Sequence, residues 1–262
     1  MNETNHDADL MEWLEKEHGR TFDVSLLPDA ASLRPTLRRL VRSRRIARAS
    51  RGVYTILEKP QRPKLVDEDE LRLATAPFAD SPHYVSWRAA LSRHNLTEQD
   101  PRVIAVALRG RREARRIAGL RVRPVFQSPG RFYGFKRVKV ASGGEIFLAT
   151  PEKAILDSLD RPDLGGGLPE VVKALNHTEG YDPAELVRLA RRYPSRATIA
   201  RLGYLMSALE VGDPTPLRSF IRRKGPPVML WLLEPEAHSS LDPTWRVSDN
   251  VGMDNLHAWA DR

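Results

Sequence analysis

Apolar residues recur at helical spacing near the start of the chain. Leu10, Trp13 and Leu14 predict a short amphipathic helix, with Asp7 or Asp9 as its N-cap and Gly19 closing it. After Thr21 and Phe22, Asp23 is placed to cap a short helical turn through Val24, Leu26 and Leu27, which Pro28 and Asp29 interrupt. Ser32 predicts the N-cap of a third helix running to about Ser43. Pro35 is tolerated there because first-turn amides have no intrahelical acceptor. Leu33, Leu37, Leu40 and Val41 share one stripe of this helix, and Arg34, Arg38, Arg42 and Arg45 share a second, about 110° away. The pattern then changes to alternation. Ile46–Ala49 and Gly52–Ile56 predict two short strands around the tight turn Ser50-Arg51-Gly52.

Helix, helix, basic helix, basic hairpin is the order of a winged helix-turn-helix domain, expected over residues 1–59. The proline-punctuated stretch Lys59-Pro-Gln-Arg-Pro63 predicts a linker, and the acids Asp67 to Glu70 open a new helix. From 66 to 262 a larger, mixed α/β domain is expected, making the chain α+β overall. His83 to His94 has helical apolar spacing through Tyr84, Trp87, Ala90 and Leu91. Val103–Leu108, Arg121–Gln127, Arg131–Val140 and Glu145–Ala149 read as strands. Thr150 and Pro151 start a helix as N-cap and first residue, and Gly165-Gly166-Gly167 reads as a flexible connection. Helices are expected near 168–176, 182–193, 196–210 and 214–223, with late strands at 228–233 and 245–248.

Charge sharpens this division. The 262 residues hold 42 Lys plus Arg against 34 Asp plus Glu, a net +8. Residues 1–33 carry −6, residues 34–62 carry +9 and residues 102–139 carry +11. Clustered cations are the electrostatic footprint of polyanion binding. The first cluster falls on the predicted third helix and hairpin, which in a winged helix meet the DNA major groove and the backbone or minor groove. Arginine serves both, since its fork grips guanine edges or phosphates. The expected DNA-binding residues are Ser32, Arg34, Thr36, Arg38, Arg39, Arg42, Arg45, Arg48, Arg51 and Tyr54. Tyr54 is expected to pack the wing, with its hydroxyl in reach of a phosphate. The second cluster interleaves cations with Phe126, Phe132, Tyr133 and Phe135. It defines a second candidate nucleic-acid surface of Arg111, Arg112, Arg115, Arg116, Arg131, Lys136, Arg137 and Lys139. Nonspecific contacts to DNA, contact with RNA, and contact with an acidic patch of a partner are all open at this surface. The alternative is aromatic residues in the core and solvated arginines.

Leu37-Arg-Arg-Leu40, Arg51-Gly-Val-Tyr54, Tyr84-Val-Ser-Trp87 with Ala89-Ala-Leu91, Phe132-Tyr-Gly134, Ala149-Thr-Pro-Glu-Lys153-Ala-Ile-Leu-Asp157 and Leu202-Gly-Tyr-Leu205 occur in this order. Together they resemble the AbiEi family of abortive-infection antitoxins over nearly the whole chain. The resemblance implies a type IV toxin–antitoxin pair. Its winged helix represses the shared promoter at double-stranded DNA repeats, and its C-terminal domain counters a nucleotidyltransferase-like toxin without a stable complex. Arg44-Arg45 stands where a glycine often precedes the first wing strand. A freestanding winged-helix regulator whose second domain senses a ligand or partner is the alternative.

Enzyme chemistry finds little support in the sequence. Cysteine is absent, which excludes disulfides and thiolate chemistry and suits a cytoplasmic protein. The seven histidines show no close ligand spacing, and neither a Walker loop nor a Gly-x-Ser-x-Gly elbow is present. Glu145, Glu152 and Lys153 faintly match the carboxylate-plus-lysine set of a metal-dependent nuclease, a remote alternative. The simpler expectation is that Glu152 complements the helix dipole and Lys153 faces solvent. No catalytic residue, metal or cofactor is expected, and no apolar run approaches membrane-spanning length.

Overall fold

A computed structural model describes residues 10, 11, 13, 14, 16, 17, 21–28, 33, 36, 37, 40, 46–50, 53–56, 68–99, 101–117, 120–140, 143–221, 224–231 and 239–260. The chain is α+β and divides into two units, Met1–Lys64 and Leu65–Arg262.

In the first unit, residues 10, 11, 13, 14, 16 and 17 are helical, as are 33, 36, 37 and 40. Three strands, β1 (Thr21–Asp23), β2 (Ile46–Ser50) and β3 (Val53–Ile56), form an antiparallel sheet in the order β1-β3-β2. The sequence pattern does not announce β1, which is only three residues long and is stabilised by pairing Thr21 with Thr55 and Phe22 with Tyr54. The predicted second helix is, in its described part, a single 3₁₀ turn at Val24–Leu26. Asp23 caps it, its carboxylate accepting from the Ser25 amide at 2.8 Å. Leu14, Phe22, Leu27, Leu37, Leu40, Ile46 and Ile56 are buried together, so leucines from both apolar helical stripes meet the core residues of the sheet.

The second unit is built on a six-stranded mixed sheet. Its helices and strands run α1 (Glu68–Thr75), β4 (His83–Val85), α2 (Trp87–Arg93), β5 (Ile104–Leu108), β6 (Arg115–Ile117), β7 (Leu120–Phe126), β8 (Phe135–Lys139) and β9 (Glu145–Ala149). There follow α3 (Pro151–Asp160), α4 (Pro162–Gly165), α5 (Leu168–Asn176), α6 (Pro183–Ala190) and α7 (Arg196–Ala208). A small sheet of β10 (Val228–Met229), β11 (Ser240–Asp242) and β12 (Val247–Asp249) precedes α8 (Met253–Ala260). The large sheet has the order β6-β7-β5-β4-β9-β8, with β5/β7 and β4/β9 parallel and the other pairs antiparallel.

His83–Val85 is a strand, and the helix begins only at Trp87, because β4 lies between β5 and β9. All three of its residues are buried, which leaves no alternation to read. The strand expected from Arg131 starts at Phe135, after a 3₁₀ turn at Pro129–Arg131. The helix expected at 214–223 is a 3₁₀ helix, Thr215–Phe220, with 222 and 223 outside the described residues. The apolar run at 228–233 contributes only Val228–Met229 as strand among the described residues. The triple glycine is an ordered turn: Gly165 ends α4 and Gly167 precedes α5.

Candidate functional site

The first candidate site is the basic hairpin. β2 pairs with β3 from Ile46↔Ile56 to Ser50↔Val53, with a register shift between Arg48 and Ser50 that marks a bulge near the turn. Tyr54 is half-buried and stacks on Phe22, ring centroids 6.1 Å apart, so it packs the hairpin onto the core as expected. Thr36 is helical and half-buried, and Arg48 lies in β2 opposite Tyr54. Ser32, Arg34, Arg38, Arg39, Arg42, Arg45 and Arg51 lie outside the described residues.

The second basic cluster is divided by the sheet. Arg111 and Arg112 precede the edge strand β6, which carries Arg115 and Arg116, and all four are exposed. Lys136, Arg137 and Lys139 lie on β8, the opposite edge. Five inter-strand spacings, about 24 Å, separate the two groups. Arg137 is also paired with Glu145 at 3.1 Å. Arg131 belongs to neither group, being half-buried between Asp160, 3.2 Å away, and the ring of Tyr193. One surface therefore becomes two. The interleaved aromatics are mostly spent on packing: Phe132 and Phe135 cluster with Tyr84, whereas Phe126 is 50% exposed. On the β6–β7 edge, Arg116 lies directly across from Arg121, a like-charge pairing that costs stability. Among the described residues Arg111, Arg112, Arg115, Arg116 and Arg121 have no acidic partner within ion-pair distance.

A third constellation was not visible in the sequence. Residues 152–159 of α3 are all buried, so this helix has no solvent face and Lys153 does not point to water. Its ammonium forms an ion pair with Asp157 one turn later, and both side chains are fully buried. Asp157 is saturated. One carboxylate oxygen accepts from Lys153 and from the Tyr193 hydroxyl at 3.2 Å; the other accepts from Ser86 at 2.7 Å and from Tyr84 at 3.2 Å. The rings of Tyr84, Tyr133 and Tyr193 surround the ammonium at 5.3–5.5 Å from centroid to nitrogen. Gly134, at φ +73°, lets the chain pass close over this lysine, since a Cβ there would meet Lys153 Cβ at 3.0 Å. Thus three separate motifs, around Tyr84, Phe132–Gly134 and Thr150–Asp157, converge on one buried ion pair. Burial lowers the lysine's pKa, with Asp157 pulling the other way.

The carboxylates do not assemble as a nuclease centre would require. Glu145 pairs with Arg137, Glu152 is buried and accepts from the Asp182 amide at 3.1 Å, and Lys153 is committed to Asp157. Among the described residues no group of three or more His, Asp or Glu could hold a metal ion.

The tyrosines give a pH prediction. Burial, reinforced by Asp157, raises the pKa of Tyr84, Tyr133 and Tyr193. Burial also raises Tyr181 and Tyr204, helped by Glu152 and Asp249 respectively. A phenol raised above its unfolded value of about 10 contributes stability that is complete below pH 10 and is lost as pH climbs past it. Alkaline titration should therefore show tyrosinate absorbance from these five residues appearing together with the loss of circular dichroism. Ionisation of all of them near pH 10 in a still-folded protein would contradict this.

No protein-family model matches the chain, and no curated protein sequence does. Among solved structures it is similar to that of the RV2827C protein from Mycobacterium tuberculosis, with a TM-score of 0.52 over 98% of this chain and 95% of that one. At 14% identity the likeness is one of fold.

Proposed function

We propose that this protein is a DNA-binding antitoxin of the AbiEi type. Its N-terminal unit is a winged helix-turn-helix that represses its own promoter, and its C-terminal unit counters a nucleotidyltransferase-like toxin. The observation that carries the DNA-binding half is the sheet order β1-β3-β2 together with the helical residues 10, 11, 13, 14, 16, 17, 33, 36, 37 and 40, with ten bases and one acid on the stretch 34–62 that contains the hairpin. With β2 at the sheet edge and β3 at its centre, that order supports reading the β2–β3 hairpin as a wing. Arg34, Arg38, Arg39 and Arg42 supply the groove contacts and Arg48 and Arg51 the wing contacts. The antitoxin half rests on the sequence resemblance. The protein acts in the cytoplasm as a non-enzymatic repressor.

Mobility shifts on the DNA upstream of its own gene test the first half. Co-expression with an adjacent nucleotidyltransferase-like gene tests the second, the expected result being relief of toxicity. An adjacent toxic gene whose effect is untouched by this protein would reject the antitoxin role while leaving DNA binding to stand or fall alone.

The exposed arginines of the β6 edge add nonspecific phosphate contacts to the same DNA. Reversing Arg112, Arg115 and Arg116 to Glu should flatten the salt dependence, lowering the magnitude of the log–log slope by about 2–3. Unchanged DNA affinity, salt slope and toxin protection would reduce these arginines to a solvated edge that only discourages strand pairing.

A further inference from the structure

The small sheet and α7 enclose a pocket of about 530 Å³ that the DNA-binding reading does not use. This volume lies within the usual range for small-molecule sites. α7 supplies one wall, starting from Ser195, whose hydroxyl caps the helix by accepting from the Thr198 amide at 3.3 Å. The 3₁₀ helix ending at Phe220 and the strand β10 supply others, and the β11–β12 turn carrying Trp245 and Arg246 completes it. The enclosure is braced. Arg201 donates to the Met229 carbonyl at 2.8 Å, and the Val228 amide donates to the Arg246 carbonyl at 2.9 Å. Trp245 is held against Gly203, where any Cβ would come within 2.3 Å of its ring, and its indole N–H donates to Ser207 at 2.9 Å.

The lining sorts by chemistry. Ala197, Ala200, Phe220, Ile221, Val228 and Trp245 give it an apolar interior. Arg196, Lys224 and Arg246 give it three cations, and no Asp or Glu is among its described lining residues. Among the described residues none of these three cations has an acidic partner within ion-pair distance. Arg246 is moreover held at φ +57°, a left-handed conformation that costs energy for a side-chain-bearing residue. Its guanidinium donates to the carbonyl of Gly225, which also lines the pocket. Three cations lining one apolar pocket, with no acid among the described lining residues, favour an anion there. An apolar body attached to the anion would also cover the interior surface.

We propose that this pocket binds a small organic anion, its carboxylate or phosphate group held by Arg196, Lys224 and Arg246 and its apolar body seated against Phe220, Ile221 and Val228. The site is independent of the DNA interface and stands whether or not the protein represses a promoter.

Calorimetric titration of the full chain with phenyl phosphate and with phenylacetate tests it, and the tighter of the two identifies the anionic group. Benzyl alcohol, which lacks the charge, and inorganic phosphate, which lacks the apolar body, should bind at least about tenfold more weakly, as loss of charged hydrogen bonds or of apolar burial requires. Arg196 and Lys224 are both exposed, so Arg196→Glu combined with Lys224→Glu should leave the fold intact and weaken binding by at least about tenfold. Ala197→Phe, which fills the cavity from α7, should do the same without altering charge. No binding of either aryl anion overturns the proposal. So does binding that survives either change, or inorganic phosphate binding as tightly as phenyl phosphate.

Discussion

Replacing Lys153 with methionine is expected to destabilise the C-terminal unit by about 3–5 kcal/mol, the cost of leaving a buried carboxylate without its counter-charge. Asp157 would keep the hydroxyls of Ser86, Tyr84 and Tyr193 but would lose the cation it is paired with. For a unit of this size the loss corresponds to a fall of about 10 °C in Tm. The reason for the size of the effect is burial: the same i,i+4 pair on a helix surface would contribute only about 0.3–0.5 kcal/mol. Two further variants separate charge from packing. Asp157→Leu added to Lys153→Met should recover much of the loss, because removing both charges removes the unpaired one. Lys153→Arg should not rescue, since a planar guanidinium does not fit where Gly134 and three tyrosine rings close around a slender ammonium stem. Urea unfolding of the four proteins decides the matter. A Lys153→Met protein within about 1 kcal/mol of the parent would show that Asp157 is neutral in the fold and that the pair is not ionic.

Promoter affinity should fall on the order of 10³-fold between 50 and 200 mM salt if the N-terminal unit neutralises about six phosphates. Ten bases on residues 34–62 are enough for that number. Binding measured across this range should give a straight line in log affinity against log salt, and a nearly flat line would reject electrostatic capture. Within that frame Arg38 and Arg51 should differ. Arg38→Ala, on the predicted reading helix, should relax sequence preference by about 1–3 kcal/mol at the base it contacts. Arg51→Ala, in the predicted turn of the hairpin, should weaken all sequences more evenly and reduce the salt slope by about one. Equal losses for both variants on every sequence would reject this division of labour.

The motifs that tie this chain to the antitoxin resemblance are chiefly structural in the second unit. Tyr84, Tyr133, Gly134, Lys153 and Asp157 meet at one buried point, and Gly203 is the platform for Trp245. The candidate binding features, the β6 edge and the pocket beside α7, lie mostly on residues outside those motifs. A sequence resemblance carried by a scaffold argues for shared architecture more strongly than for shared ligands.

Local chemistry alone determined the features that need no neighbours. Thr150 caps α3 by accepting from the Lys153 amide, as its place before Pro151 predicts, and Asp23 caps its 3₁₀ turn. The alternation at 46–56 gives the hairpin, because a half-buried strand writes its two faces into sequence at period two. Tertiary structure decided what depends on partners distant in the chain. The period-two signal fails at β4, buried between two other strands, and β6 is a strand only because β7 pairs with it. The arginines and lysines of 109–139 look like one block in sequence, but the sheet's strand order puts Arg115 and Arg116 on one edge and Lys136, Arg137 and Lys139 on the other. Lys153 and Asp157 carry the same lesson: spacing puts them on one side of a helix, and only packing on every side of α3 turns a surface ion pair into the fully buried charge pair of the core.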